Sequence, residues 1–135
     1  MPTAGTSNVW RVRVLTAGWC AWAWMTAVAY LSGPEISHLQ PIVAMVSPHW
    51  WSWLWGAAAA VLAVGLVPWR WSGWARVAGL AAVAGLCTAW GLSFTLMWIE
   101  GETTRGWVSA KNYGLMAFLA VGSAWWVSIR GRFDR

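Results

Sequence analysis

Residues 77–99 read VAGLAAVAGLCTAWGLSFTLMWI, from Val77 to Ile99. The stretch holds 23 residues and no Asp, Glu, Lys or Arg. A hydrocarbon layer about 30 Å thick needs roughly 20 apolar residues in a helix, each adding about 1.5 Å. Val77–Ile99 meets that length and predicts a membrane span. Working outward, the same pattern recurs. Val14–Pro34 is a second charge-free run of 21 residues. It closes on Ser32-Gly33-Pro34, a breaker cluster, and predicts a span over about 12–31. Ser47-Pro48 reads as a helix start, with Ser as N-cap and Pro as first helical residue. The span it opens runs from about 49 to 67 and stops before Pro68. A fourth runs from about 107 to 129, uncharged from Asn112 to Ile129, with Lys111 near its start. The expected fold is all-α: an integral membrane four-helix bundle, one domain over residues 1–135.

Composition agrees with that reading. Of the 135 residues 59% are hydrophobic and only 10% are charged. A disordered chain has the opposite balance. A soluble domain carries roughly 25% charged residues. Two Cys do not make a disulfide-stapled secreted domain. The net charge of +5 raises nucleic acid as a partner, but the basic residues sit singly or in small groups between long apolar runs rather than clustered on an exposed face. The partner implied is the lipid bilayer, and no nucleic acid.

Charge also orients the chain, because cytoplasmic loops concentrate Lys and Arg. Arg11, Arg13, Arg70, Arg76, Arg130, Arg132 and Arg135 fall on one side with Asp134. Arg105 and Lys111 fall on the other with Glu35, Glu100 and Glu102. The split is +6 against −1, which predicts both termini inside, as four spans require. The location that follows is the cytoplasmic (inner) membrane.

Sixteen Trp carry further information. Indole rings favour the membrane–water boundary. Trp10, Trp69, Trp71, Trp74, Trp125 and Trp126 are expected at the inner boundary. Tyr30, Trp50, Trp51, Trp53, Trp98 and Trp107 are expected at the outer one. Trp19, Trp22, Trp24 and Trp90 lie deeper, for packing between helices or facing lipid.

The first span has a rival reading as a cleaved leader, with Arg11 and Arg13 before the apolar run and Ala27-Val28-Ala29 as a small-x-small site. Its length and Trp content favour a retained span. The first outer loop, Ser32 to Pro48, has no Lys or Arg. Ile36, Leu39, Ile42, Val43, Met45 and Val46 make it apolar, which predicts a short interfacial or re-entrant segment broken at Pro41.

In lipid, helices associate through small residues rather than through the hydrophobic effect. Ala81, Gly85 and Ala89 form such a row on span three. Gly56 and Ala60 do so on span two, and Gly114 leads a row on span four. These rows serve either packing within the bundle or association between copies, and both uses stand open.

Glu100, Glu102, Arg105, Lys111 and Asn112 form the densest polar group, at the outer end of spans three and four. An ion pair of Lys111 with Glu100 or Glu102, closing the outer hairpin, is the expected role. A gate or an outside contact is the functional alternative. His38 and His49 lie at the outer loop rather than inside facing helices, so no haem, metal or other cofactor is expected. Cys20 and Cys87 fall near mid-span as small buried hydrophobes. No Asp, Glu, Lys or Arg lies deep in a span, which argues against proton- or cation-coupled transport. Phosphate loops, zinc helices and nucleophile elbows are missing from the sequence, so no enzyme is expected.

The segment RGWVSAKNY, Arg105 to Tyr113, resembles a segment in small multi-span membrane proteins of actinobacterial phages. The four-span layout, Arg-flanked ends and high Trp content are similar too. The matching segment covers under a tenth of the chain. Some members of that group are read as holins. The resemblance implies a phage context, a host membrane and a holin-like role, and it transfers no catalytic residue. The alternative is a non-enzymatic accessory or interaction subunit of a larger membrane complex, or a superinfection-exclusion protein. A homo-oligomer or a membrane-protein partner is the expected assembly.

Overall fold

The computed structural model describes residues 4–32 and 47–133, with side chains described for 9–32, 47 and 49–129. The segment expected to be interfacial or re-entrant, with Glu35, His38 and Pro41, lies outside the described residues. So do the side chains of Arg130 and Arg132, and all of Asp134 and Arg135.

Among the described residues the chain is helical, with four elements: α1 (Ala4–Ser32), α2 (Pro48–Leu66), α3 (Ser72–Ile99) and α4 (Gly106–Phe133). Three stretches are long and apolar enough to cross a membrane: Val9–Ser32, Ser72–Ile99 and Gly106–Ile129. They mark the chain as a membrane protein. The remaining helix, α2, has 19 residues, about 28 Å of rise. Its His49 and four Trp crowd its first half, while Ala57–Leu66 is wholly apolar or glycine.

Local chemistry sets the helix ends. Ser47 occupies the N-cap of α2 and Pro48 the first turn, as the dipeptide predicts, although the Ser47 hydroxyl makes no capping bond. Pro lacks an N–H that the first turn would leave unpaired in any case. At the other end Val67 is extended (φ −72°, ψ 133°), the conformation that Pro68 imposes on its predecessor. The end of α3 is closed by glycine. Gly101 adopts φ +78°, its N–H donates to the Trp98 carbonyl at 3.2 Å, and the Glu102 N–H donates to the Met97 carbonyl at 3.0 Å. This paired Schellman closure satisfies carbonyls that a helix end otherwise leaves open.

α3 begins at Ser72 rather than near 77, and Arg76 lies inside it. The Arg76 Nε donates to the Gly65 carbonyl at 2.7 Å, one of the last carbonyls of α2. A Cβ at Gly65 would come within 2.7 Å of Arg76 Cγ, so the glycine makes room for this contact. Helices α1, α3 and α4 all begin or end beyond their charge-free runs. Backbone hydrogen bonding does not stop where the flanking side chains turn polar.

The helices neighbour one another in chain order: α1 on α2, α2 on α3, α3 on α4. The core between them holds Trp55, Leu62, Leu80, Val83 and Cys87, all fully buried. Close approach depends on glycine. A Cβ at Gly79 would sit 2.6 Å from Leu62 Cγ, and one at Gly106 would sit 2.8 Å from the Phe94 carbonyl oxygen. The Ser52 hydroxyl donates across to the Ala27 carbonyl of α1 at 2.8 Å. Other hydroxyls turn back on their own helix. Thr16, Thr26, Thr88, Thr95 and Ser123 each donate to the carbonyl four residues earlier, at 2.7–2.8 Å. That habit hides a polar group where no water is available.

Candidate functional site

The predicted outer polar group does collect at one end, where α3 closes and α4 begins. Glu100 caps α3, Glu102 and Arg105 occupy the turn, and Lys111 and Asn112 lie early on α4. All five side chains are exposed. Lys111 does not reach Glu100 or Glu102 among the described residues: its Nζ stands 5.6 Å from the centre of the Trp107 ring. The expected ion pair is therefore replaced by a cation–π contact. Lys111 and Trp107 are four apart on one helix face, whereas both glutamates lie beyond the end of α3.

The predicted packing rows need more revision. Ala60, Ala81 and Gly85 are exposed, and added Cβ atoms at Gly56, Gly85 and Gly114 would meet nothing within 4 Å. Of the six positions only Ala89 packs its side chain against the core. Gly114 takes part through its backbone, which lies against Gly91. The helices meet at Gly65, Gly79, Gly91 and Gly106 instead. The buried stripe of α3 follows Gly79, Leu80, Val83, Cys87 and Trp90, because the bulky members of that stripe must fill the interior.

What fills the upper interior is aromatic. Trp90 is 1% exposed and gathers rings from all four helices. Tyr30 of α1 stacks on it at 5.3 Å, and Tyr113 of α4 at 5.9 Å. Trp51 of α2 lies 5.6 Å away, and Phe94 of α3 at 6.0 Å. A second string, Trp19–Trp22–Trp55, runs edge-to-face at 5.8 and 5.1 Å. Edge-to-face and offset pairs of this kind are each worth about 0.5–1.5 kcal/mol beyond area burial. The indole N–H groups of Trp51, Trp55 and Trp90 and the Ser93 hydroxyl are buried without a hydrogen-bond partner, a cost this interior carries.

Trp10, Trp69, Trp71, Trp74 and Trp125 are exposed toward one end, and Trp50, Trp53, Trp98 and Trp107 toward the other. Trp51, Tyr30 and Trp126 depart from their expected boundary positions: Trp51 is 5% exposed and turned inward onto Trp90, Tyr30 stacks on the same ring, and Trp126 is half-buried against the core. Of the deep Trp, Trp24 faces outward, while Trp19, Trp22 and Trp90 pack inside.

The chemistry these groups offer is binding and packing. Cys20 and Cys87 are free thiols, and the Cys20 thiol donates to the Ala59 carbonyl at 3.3 Å. Among the described residues no three His, Cys, Asp or Glu come together as a metal-binding group. His49 lies exposed beside Trp50 and Trp53. The RGWVSAKNY segment proves to be the α3–α4 seam: Gly106 abuts Phe94, Ala110 and Tyr113 cover Gly91, and Tyr113 enters the aromatic cluster. No protein-family profile, curated protein or solved structure matches this chain.

Proposed function

We propose that this chain is a four-span protein of phage type. It inserts in the cytoplasmic membrane of a bacterial host with both termini inside, and it permeabilises that membrane by assembling with its own copies, as a holin does. The reading is non-enzymatic.

One observation carries it. Small residues on α2 and α3, namely Ala60, Ala81 and Gly85, are open on the outside of the bundle while other residues make the contacts inside, and Gly114 of α4, whose backbone lies against Gly91, is open on its Cβ side. Small open faces on membrane helices are where a second helix approaches closely. The +6 against −1 charge split supports the orientation. The resemblance around Arg105–Tyr113 supports the phage context.

Induced expression in a bacterium, with membrane potential followed by a dye, tests the proposal. Wild-type protein should collapse the potential abruptly after a lag. The double variant Gly85→Leu, Gly114→Leu, inserted to the same level, should lengthen the lag or abolish the collapse. Normal growth and an intact potential at high wild-type expression would sink the holin reading. Purification in mild detergent then separates the alternatives. A ladder of homo-oligomers supports self-assembly, whereas a stoichiometric foreign membrane protein makes the chain an accessory or exclusion subunit.

A further inference from the structure

The bundle is not closed evenly. α1 packs on α2, and α4 packs on α3, but α1 and α4 do not come together along their backbones. They are joined by one described hydrogen bond, from Trp19 Nε1 to Ser123 Oγ at 3.1 Å. Outside that bridge lies a groove between α1 and α4 made of two cavities of about 420 and 500 Å³ that share Leu15, Leu119 and Ser123, continued at the Trp10 end by a third of about 580 Å³ lined by α1 among the described residues. Its mouth is formed by Trp10 and Arg11, and its far end by Trp22 and Met116.

Two details indicate an occupant rather than loose packing. Gly18 on α1 and Gly122 on α4 both line the groove, and an added Cβ at either would meet nothing within 4 Å. Glycine on membrane helix faces ordinarily lets helices approach. Here the two glycines widen a gap. The walls are otherwise apolar, since Ser123 accepts from Trp19 and donates to the Leu119 carbonyl. The length is also telling. From Arg11 to Trp22 the helix rises about 17 Å, close to one leaflet of a hydrocarbon core about 30 Å thick.

Charge identifies the headgroup. Arg11 stands at the mouth, exposed and lining two of the three cavities. Its guanidinium offers the planar fork of donors that suits phosphate oxygens. The acidic residues among those described, Glu100 and Glu102, lie at the opposite end of the bundle. We infer that the α1–α4 groove seats one acyl chain of an anionic glycerophospholipid, whose phosphodiester sits on Arg11 in the leaflet at the termini's end.

Native mass spectrometry of the full chain in mild detergent, with phosphatidylglycerol or phosphatidylcholine added at equal concentration, tests this. The wild-type chain should retain one phosphatidylglycerol in preference to phosphatidylcholine. Arg11→Gln should lower phosphatidylglycerol retention by about tenfold, the scale of a lost charge-assisted hydrogen bond. Gly122→Phe, and separately Gly18→Phe from the facing wall, should fill the groove and abolish retention of either lipid. Ala57→Phe, on an exposed position of α2, should change nothing. Circular dichroism confirms that each variant keeps its helices. Equal retention of the two lipids, or wild-type retention in Arg11→Gln and in both groove-filling variants, would overturn the inference.

Discussion

Replacing Trp90 with Ala should do more damage than any other single Trp truncation. The ring is 1% exposed and touches Tyr30, Trp51, Phe94 and Tyr113, so it ties all four helices together. Truncating a buried Trp in a water-soluble core costs about 3–5 kcal/mol, part of which is transfer from water. That part is largely missing for a helix that stays in lipid when the bundle opens. The cavity remains. With partial collapse leaving on the order of 100 Å³, at about 24 cal/mol per Å³, it costs about 2.4 kcal/mol. Losing two stacked neighbours adds roughly 1 kcal/mol, and relief of the unpaired indole N–H offsets a similar amount. The expected net loss is about 2–3 kcal/mol. Trp24, 60% exposed, serves as the comparison, and Trp24→Ala should cost under about 0.5 kcal/mol. Reversible unfolding in mixed micelles, followed by circular dichroism, measures both. Trp90→Phe should fall between them, since it keeps a ring and drops the unpaired N–H. If Trp90→Ala unfolds no more easily than Trp24→Ala, the aromatic cluster does not hold the helices together.

Three further outcomes follow from the same contacts. Gly79→Ala should destabilise by about 1–3 kcal/mol in the same unfolding assay, because its Cβ would lie 2.6 Å from Leu62 Cγ, while Gly85→Ala should cost nothing. Gly101→Ala should cost about 1 kcal/mol and loosen the α3–α4 turn, seen as faster amide exchange at Glu102, because the position needs φ +78°. Ser52→Ala removes the hydroxyl bond to the Ala27 carbonyl, and a loss of about 0.6 kcal/mol is expected from interhelical hydrogen bonds in membranes.

Much of the layout was legible because the bilayer writes length and punctuation into a sequence. Ser47-Pro48 and Pro68 bound α2 in the structure as they do on paper, and Val14–Ser32 and Val77–Ile99 of the long charge-free runs lie within α1 and α3, while Gly33 and Pro34 are outside the described residues. The inward face of each helix was not legible. In a soluble protein, polarity marks the outside, but here both the outside and the inside are apolar. Ala81 and Gly85 were as good a guess as Gly79 until Leu62 was seen against Gly79. The aromatic cluster was hidden for a different reason. Tyr30, Trp51, Trp90 and Tyr113 are far apart in the chain, and each alone has an ordinary interfacial or lipid-facing reading. Trp51 shows the ambiguity most clearly, one residue from the exposed Trp50. The α1–α4 groove left only a faint trace, two glycines that fit equally well into a close helix contact.

The central claim is that α2 crosses the membrane with α1, α3 and α4, so that both termini and the 67–71 connection share the cytoplasmic side and the 100–105 turn faces out. Single cysteines at Gly73 and at Thr104, both exposed positions, placed in a chain with Cys20 and Cys87 replaced by Ala, read this directly with a membrane-impermeant thiol reagent. Four spans predict that Thr104→Cys is labelled in intact cells and that Gly73→Cys is labelled only after permeabilisation. Labelling of Gly73→Cys in intact cells, with Thr104→Cys protected until permeabilisation, would mean that α2 does not cross or that the four spans are inverted, and either outcome would contradict the account.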